Sequence, residues 1–269
     1  VFFARRNLIY AAGLLQRWPS DSTIRRENSM RIVKPLFCIA AAALIATCLA
    51  STANAHFVWI ETEPSGSESL IRSGFGEPDG WDPDLVDRMQ AAKFWLRGAE
   101  DLKPLDLKLD AKEREYRGLV SGTRPASVIG SCDFGVIQLG SNPPSWLRYT
   151  AKSLIGAPKD WPQQQATADL RIELLATLDG VDVRLDALHL GKPLAGAKIK
   201  CTSPKDQRLE LVTDADGVAR WPLAGDGLYA CYVGVTVPSA GTNDGKSYEV
   251  LKDYTTLTFR VGAVNPKKP

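Results

Sequence analysis

Histidine and methionine are each present only twice in the 269 residues. So few imidazoles leave little material for a Ser-His-Asp or Cys-His catalytic set. Neither G-x-S-x-G nor H-E-x-x-H occurs. Long apolar stretches are equally scarce. Leu36–Leu49, at 14 residues, falls short of the ~20 a membrane-spanning helix needs. No basic stripe marks a nucleic-acid surface. The first 55 residues hold 7 of the 33 Lys and Arg but 2 of the 31 Asp and Glu. The remaining 214 therefore carry 26 basic and 29 acidic side chains, a net charge of −3.

That basic, apolar beginning has the three parts of a secretory signal. Arg31 and Lys34 precede the apolar run, and Ala53-Asn54-Ala55 supplies an A-x-A cleavage pattern. Residues 1–29 then read as an extension ahead of a natural start at Met30, or as a long basic n-region. Ile45-Ala46-Thr47-Cys48 offers a competing route, lipidation at Cys48, with Thr47 a poor fit before the cysteine. The expected location is the periplasm or the exterior, and export permits disulfides.

The sequence texture beyond residue 55 is β. Short alternating runs are broken by Gly, Pro, Asp and Asn. Strands are expected at His56–Thr62, Ser69–Phe75, Lys93–Leu96, Leu105–Leu109, Ala126–Leu139 and Leu147–Leu154, with one short helix over Asp84–Ala92. Gly156–Gln165, with two prolines and a polar cluster, reads as a linker or long crossing loop. Further strands follow at Leu170–Leu175, Val181–His189, Ala197–Thr202, Leu209–Thr213, Val218–Leu223, Leu228–Val237 and Tyr254–Val261. The organisation expected is all-β: two packed sandwich-like halves, residues 56–165 and 166–262, after a signal at 30–55 and before a tail at 263–269.

Cys132, Cys201 and Cys231 remain after the leader. Alternation puts Ala197, Ile199 and Cys201 on one face, and Tyr229, Cys231 and Val233 on one face. Cys201 and Cys231 are thus candidates for a disulfide across the sandwich, with two buried thiols as the alternative. Cys132 shares a face with Val128, Phe134 and Val136 and is expected to be buried and inert.

Cleavage after Ala55 would leave His56 with a free α-amine beside its imidazole. The amine titrates near 8, so a metal displaces its proton readily. With His189 added, the donors form an all-nitrogen T that suits Cu(II) or Ni(II). His189 follows Val183, Leu185 and Ala187 on an inward face, so a core histidine is its alternative reading. Two other functions stay open. One is a binding module for carbohydrate or a cell-surface protein, with Trp81 and Trp161 in loops as surface aromatics. The other is a copper-dependent oxidase. Asp214 and Asp216 belong to a turn, since the full EF-hand pattern is absent.

Gly191-Lys-Pro-Leu-Ala-Gly-Ala197, Thr213-Asp-Ala-Asp-Gly217 and Gly227-Leu-Tyr229 resemble the prealbumin-like, or carboxypeptidase-regulatory-like, β-sandwich. Ala55-His-Phe-Val-Trp59 ahead of that sandwich resembles domain-of-unknown-function family 4198 over nearly the whole chain after the leader. Some members carry a nickel- or cobalt-uptake label. The resemblance therefore implies a periplasmic metal-handling role; the residues themselves make His56 and His189 the metal-binding candidates of an exported, non-enzymatic metal-binding or metal-delivery protein.

Overall fold

Alternating β-branched and polar residues with frequent turn formers produce seventeen strands among the described residues. The computed structural model describes residues 56–78, 80–98, 101–122, 126–161, 167 and 170–262. The leader, the extension at 1–29, Cys48, the end of the expected linker and the tail lie outside the described residues.

In chain order the strands begin with β1 (Phe57–Ser65), β2 (Glu68–Glu77), β3 (Gly80–Trp81), β4 (Lys93–Arg97), β5 (Leu102–Leu105) and β6 (Lys108–Asp110). Then come β7 (Glu115–Ser121), β8 (Ala126–Ile137), β9 (Ser145–Ile155), β10 (Ile172–Asp179), β11 (Asp182–His189) and β12 (Lys192–Pro193). The last are β13 (Lys198–Ser203), β14 (Gln207–Val212), β15 (Val218–Pro222), β16 (Gly227–Asn243) and β17 (Lys246–Val261).

Three sheets result. The first runs β1-β2-β7-β6 with β3 beside β2, and the third runs β10-β11-β12 with β15 beside β11. Between them lies an eight-stranded sheet in the order β14-β13-β16-β17-β9-β8-β4-β5. Neighbouring residues on its central strands point to opposite layers. On β9, Tyr149 and Ala151 join one apolar cluster with Phe57, Ile60, Ile71 and Phe75 of the first sheet. Leu154 joins a second cluster with Leu174, Val183, Leu185 and Trp221 of the third. On β17, Tyr254 packs against the first cluster while Leu257 and Phe259 belong to the second.

The all-β class read from the texture is correct. Two sandwich-like halves pack together, and they share the middle sheet. The joint is a parallel pairing of β9 with β17, from Ser145↔Val250 to Ser153↔Thr258. The described residues form one compact unit.

Local features differ from expectation: the single strand expected at Leu105–Leu109 is divided between β5 and β6, which belong to different sheets, and β7 lies where no strand was expected. The helix expected over Asp84–Ala92 is a 3-10 helix at Pro83–Met89. Pro83 opens it, Asp82 caps it, and Val86 and Met89, three apart, bury on the same side. That spacing matches the three-residue turn of a 3-10 helix. Strands β16 and β17 also run well past Val237, pairing out to Asn243↔Lys246 as a long hairpin. Asp244 and Gly245 at its tip both take positive φ, 46° and 75°. A two-residue I′ hairpin turn requires that geometry.

A candidate site at the start of the first strand

His56 immediately precedes β1 and is about one-third exposed, its ring edge-on to Phe75 at a centroid distance of 6.1 Å. Its Nδ1 lies 3.8 Å from Asp82 Oδ2. Asp82 is held in place by its role in the turn. Its backbone N–H donates to the Phe75 carbonyl at 2.7 Å. Its Oδ1 accepts from the Asp84 N–H at 3.0 Å as the 3-10 cap. Oδ2 is the oxygen left facing His56. Arg114 ties the same turn down, donating to the Pro83 carbonyl at 3.1 Å and to Asp87 at 2.8 Å.

His56 stands at the rim of a cleft of about 380 Å³. The aromatic rings of Phe57, Phe75, Phe134, Tyr149 and Tyr254 line much of it. Phe75 stacks on Phe134 at 4.7 Å, and Tyr149 on Tyr254 at 5.6 Å. Burial, reinforced by Tyr254, pushes the Tyr149 phenol far up, and burial with Tyr232 raises Tyr254. Both phenols are therefore neutral at physiological pH. Arg88 and Lys252 are the cationic residues of the lining, and no carboxylate lines it.

His189 ends β11 on the opposite side of the middle sheet. Its Nε2 is buried, lacks a hydrogen-bond partner and lies 3.6 Å from Asp253 Oδ2. Asp253 is 1 % exposed and accepts two hydrogen bonds from Arg148, at 2.7 and 2.9 Å. Arg171 approaches it at 3.5 Å. Asp253 points toward the third sheet, whereas Tyr254, the next residue, lines the His56 cleft. The two histidines are thus kept on opposite faces of β17, and the all-nitrogen T is not assembled. No group of three or more His, Cys, Asp or Glu side chains gathers to hold a metal among the described residues.

Among the described residues Cys132, Cys201 and Cys231 are buried free thiols. Burial pushes the Cys132 thiol up to about 12, with Asp133 adding to the effect, so it is unreactive at neutral pH. Cys201 and Cys231 face each other directly on β13 and β16. They are neighbours within one sheet, not partners across the sandwich as alternation alone suggested. Alternation shows which face a residue takes but not which strand lies beside it.

The two tryptophans expected in loops are drawn into the fold, Trp81 as part of β3 paired with Gly76. Trp81 covers Gly74, where a Cβ would collide with its ring, and lies against the Arg72 guanidinium at 4.9 Å. Trp161 packs edge-on against Phe259 at 4.9 Å and donates to the Gly156 carbonyl at 3.1 Å. Asp214 Oδ1 accepts from the Asp216 and Val218 N–H groups, each at 2.9 Å, as a turn former does. In the sequence Asp82 belongs to an acidic loop with Glu77, Asp79 and Asp84 that reads as solvated, and neither Arg88 nor Lys252 stands out. Asp82-Pro83 signals a cap, but its approach to His56 depends on β2 and β3 bringing the two segments together.

No protein-family model matches the chain, and no curated protein matches it. Among solved structures, one of a 1.5-MDa bacterial ice-binding adhesin aligns at 9% identity and a TM-score of 0.21. The alignment covers 77% of this chain and 66% of that one, just under two thirds of its length.

Proposed function

We propose that the protein is an exported, non-enzymatic metal carrier whose cargo, Cu(II) or Ni(II), is held at His56 with Asp82 as the second side-chain ligand. The observation that carries this reading is the 3.8 Å separation of His56 Nδ1 and Asp82 Oδ2. Two donors bound at roughly 2 Å to one ion at a right angle stand about 3 Å apart. A side-chain shift of under about 1 Å would bring both into range. Asp82 takes the place that the sequence suggested for His189.

The third donor is the His56 α-amine, freed by cleavage after Ala55. Amine and Nδ1 of one residue close a chelate ring, and the carboxylate completes an N,N,O set that suits tetragonal Cu(II) or Ni(II). Three protein donors leave a position open for a receiving ligand, which suits delivery better than permanent storage. The sequence resemblance to domain-of-unknown-function family 4198 supports the same metal-handling role. The absence of a long apolar helix among the described residues is compatible with export.

The test is Cu(II) and Ni(II) titration of the exported protein, its N-terminus checked by mass spectrometry. Adding one glycine before His56 should abolish tight binding, Asp82→Ala should weaken it at least tenfold, and His189→Gln should leave it unchanged. Binding indifferent to both the added glycine and the loss of Asp82 would overturn the proposal.

A further inference from the structure

The aromatic cleft beside His56 has a charge pattern unlike that of the concavity Trp81 lines. The cavity of about 340 Å³ under Trp81 is lined by Glu61, Glu63, Arg72, Glu115 and Arg260 among others. Its charges pair among themselves: Arg72 with Glu115, and Arg260 with Glu61 and Glu63. In the aromatic cleft the two cations stand without a carboxylate. Neither Arg88 nor Lys252 forms an ion pair among the described residues, while thirteen other Lys and Arg side chains do.

Arg88 is positioned as well as uncompensated. It sits on the 3-10 helix anchored by buried Val86 and Met89. Its guanidinium lies over the Phe134 ring at 5.3 Å, on the wall of the cleft. Such stacking holds a guanidinium while its N–H donors stay available. Lys252 reaches the cleft from β17. The floor beneath is hydrocarbon and neutral phenol, and Leu139, 67% exposed, forms part of the lining. A cleft of this size, apolar with a few convergent polar groups, is the usual form of a small-molecule site.

We infer that this cleft binds a free organic carboxylate with an apolar body, a medium-chain or aromatic acid. The body would lie on Phe75, Phe134 and Tyr149, and the carboxylate would meet Arg88 and Lys252. An amine of the same shape would bring like charge to those two groups, and an alcohol would leave them unanswered. The site needs no metal, so it stands or falls separately from the carrier role of His56.

The experiment is calorimetric titration of the exported protein with octanoate, octylamine and octanol in buffer containing a metal chelator. Octanoate should bind, octanol should bind at least tenfold more weakly, and octylamine should not bind. Affinity should rise about fourfold per methylene from hexanoate to octanoate. Arg88→Ala and Lys252→Ala should each weaken octanoate at least tenfold while leaving the melting temperature unchanged. Phe134→Ala should weaken the acid and the alcohol alike. Equal binding of octylamine and octanoate, or indifference of octanoate to both Arg88→Ala and Lys252→Ala, would overturn the assignment.

Discussion

Thr256 Oγ1 donates a hydrogen bond to the Val58 carbonyl at 2.8 Å, from the central strand β17 to the edge strand β1. Thr258 does the same for Ile60, and Arg260 Nε reaches the Thr62 carbonyl at 3.2 Å. One face of β17 thus supplies side-chain donors to an edge whose carbonyls lack a neighbouring strand. An edge without such cover is a liability, either unsatisfied or open to pairing with another chain. This arrangement also carries His56 to the rim of the aromatic cleft, because β1 is anchored along its length just after that residue.

Thr256→Val should therefore cost more than its near-isosteric shape suggests. It leaves a buried carbonyl without its donor, a loss of about 1–3 kcal/mol. Urea denaturation should show a lower midpoint with an unchanged slope. A variant as stable as the parent would mean that the carbonyl finds another donor.

Lys152 and Glu173 form an ion pair in which both side chains are under 5% exposed. Thr167 adds a backbone N–H at 2.8 Å and a hydroxyl at 3.0 Å to the Glu173 carboxylate. Burial lowers the Lys152 pKa, opposed by Glu173. Removing one partner strands a buried charge, so Lys152→Met should destabilise by about 3–5 kcal/mol, whereas Lys152→Met with Glu173→Leu should recover much of that. Chemical denaturation of the two single variants and the double variant measures the coupling.

Glu115 gives a pH dependence. Burial pushes its carboxyl up, but hydrogen bonds and charge from Arg72 and Arg117 outweigh this and hold it below its ordinary value of 4.5. A depressed folded pKa means that the stabilisation is fully present above the unfolded pKa. It is lost as pH falls through the folded value. Glu115→Gln should thus lower stability most at neutral pH, and the difference from the parent should shrink below about pH 4. Melting curves from pH 7 to 3 test this; a difference independent of pH would refute it.

Cys201 and Cys231 are directly opposed on antiparallel strands. Such pairs hold their Cα atoms about 4.5–5.5 Å apart, inside the range a disulfide spans. They stand here as free thiols, and an oxidising compartment after export should bridge them. Ellman's reagent should then find no reactive thiol in the folded protein and one, Cys132, after unfolding. Three thiols on unfolding would show that the pair stays reduced.

Much of the fold could be read locally. Alternation in Val183–Ala187 and Ala197–Cys201 identified strands and their inward faces, because side-chain direction in a strand depends only on neighbouring residues. The Asp244-Gly245 hairpin was not read, because the weakly apolar run from Pro238 to Glu249 gives its turn signal no flanking strand pattern. Its strands carry little core and are held mainly by backbone pairing. The aromatic cleft was not legible: Phe75, Phe134, Tyr149 and Tyr254 come from four strands that converge only after the sheets are layered.

By itself the sequence determined the all-β class, the inward faces of the strands and the position of His56 at the head of the first one. Only the tertiary structure decided its company. Asp253 and Tyr254 point to opposite faces of β17 by strand geometry, but the layering of the first and third sheets on those two faces puts His56 and His189 on opposite sides of the middle sheet. Asp82 stands beside His56 instead, because β2 turns back through β3 and delivers the cap of the 3-10 helix there. Which strands become neighbours depends on burying apolar surface between distant segments, and no local pattern encodes it.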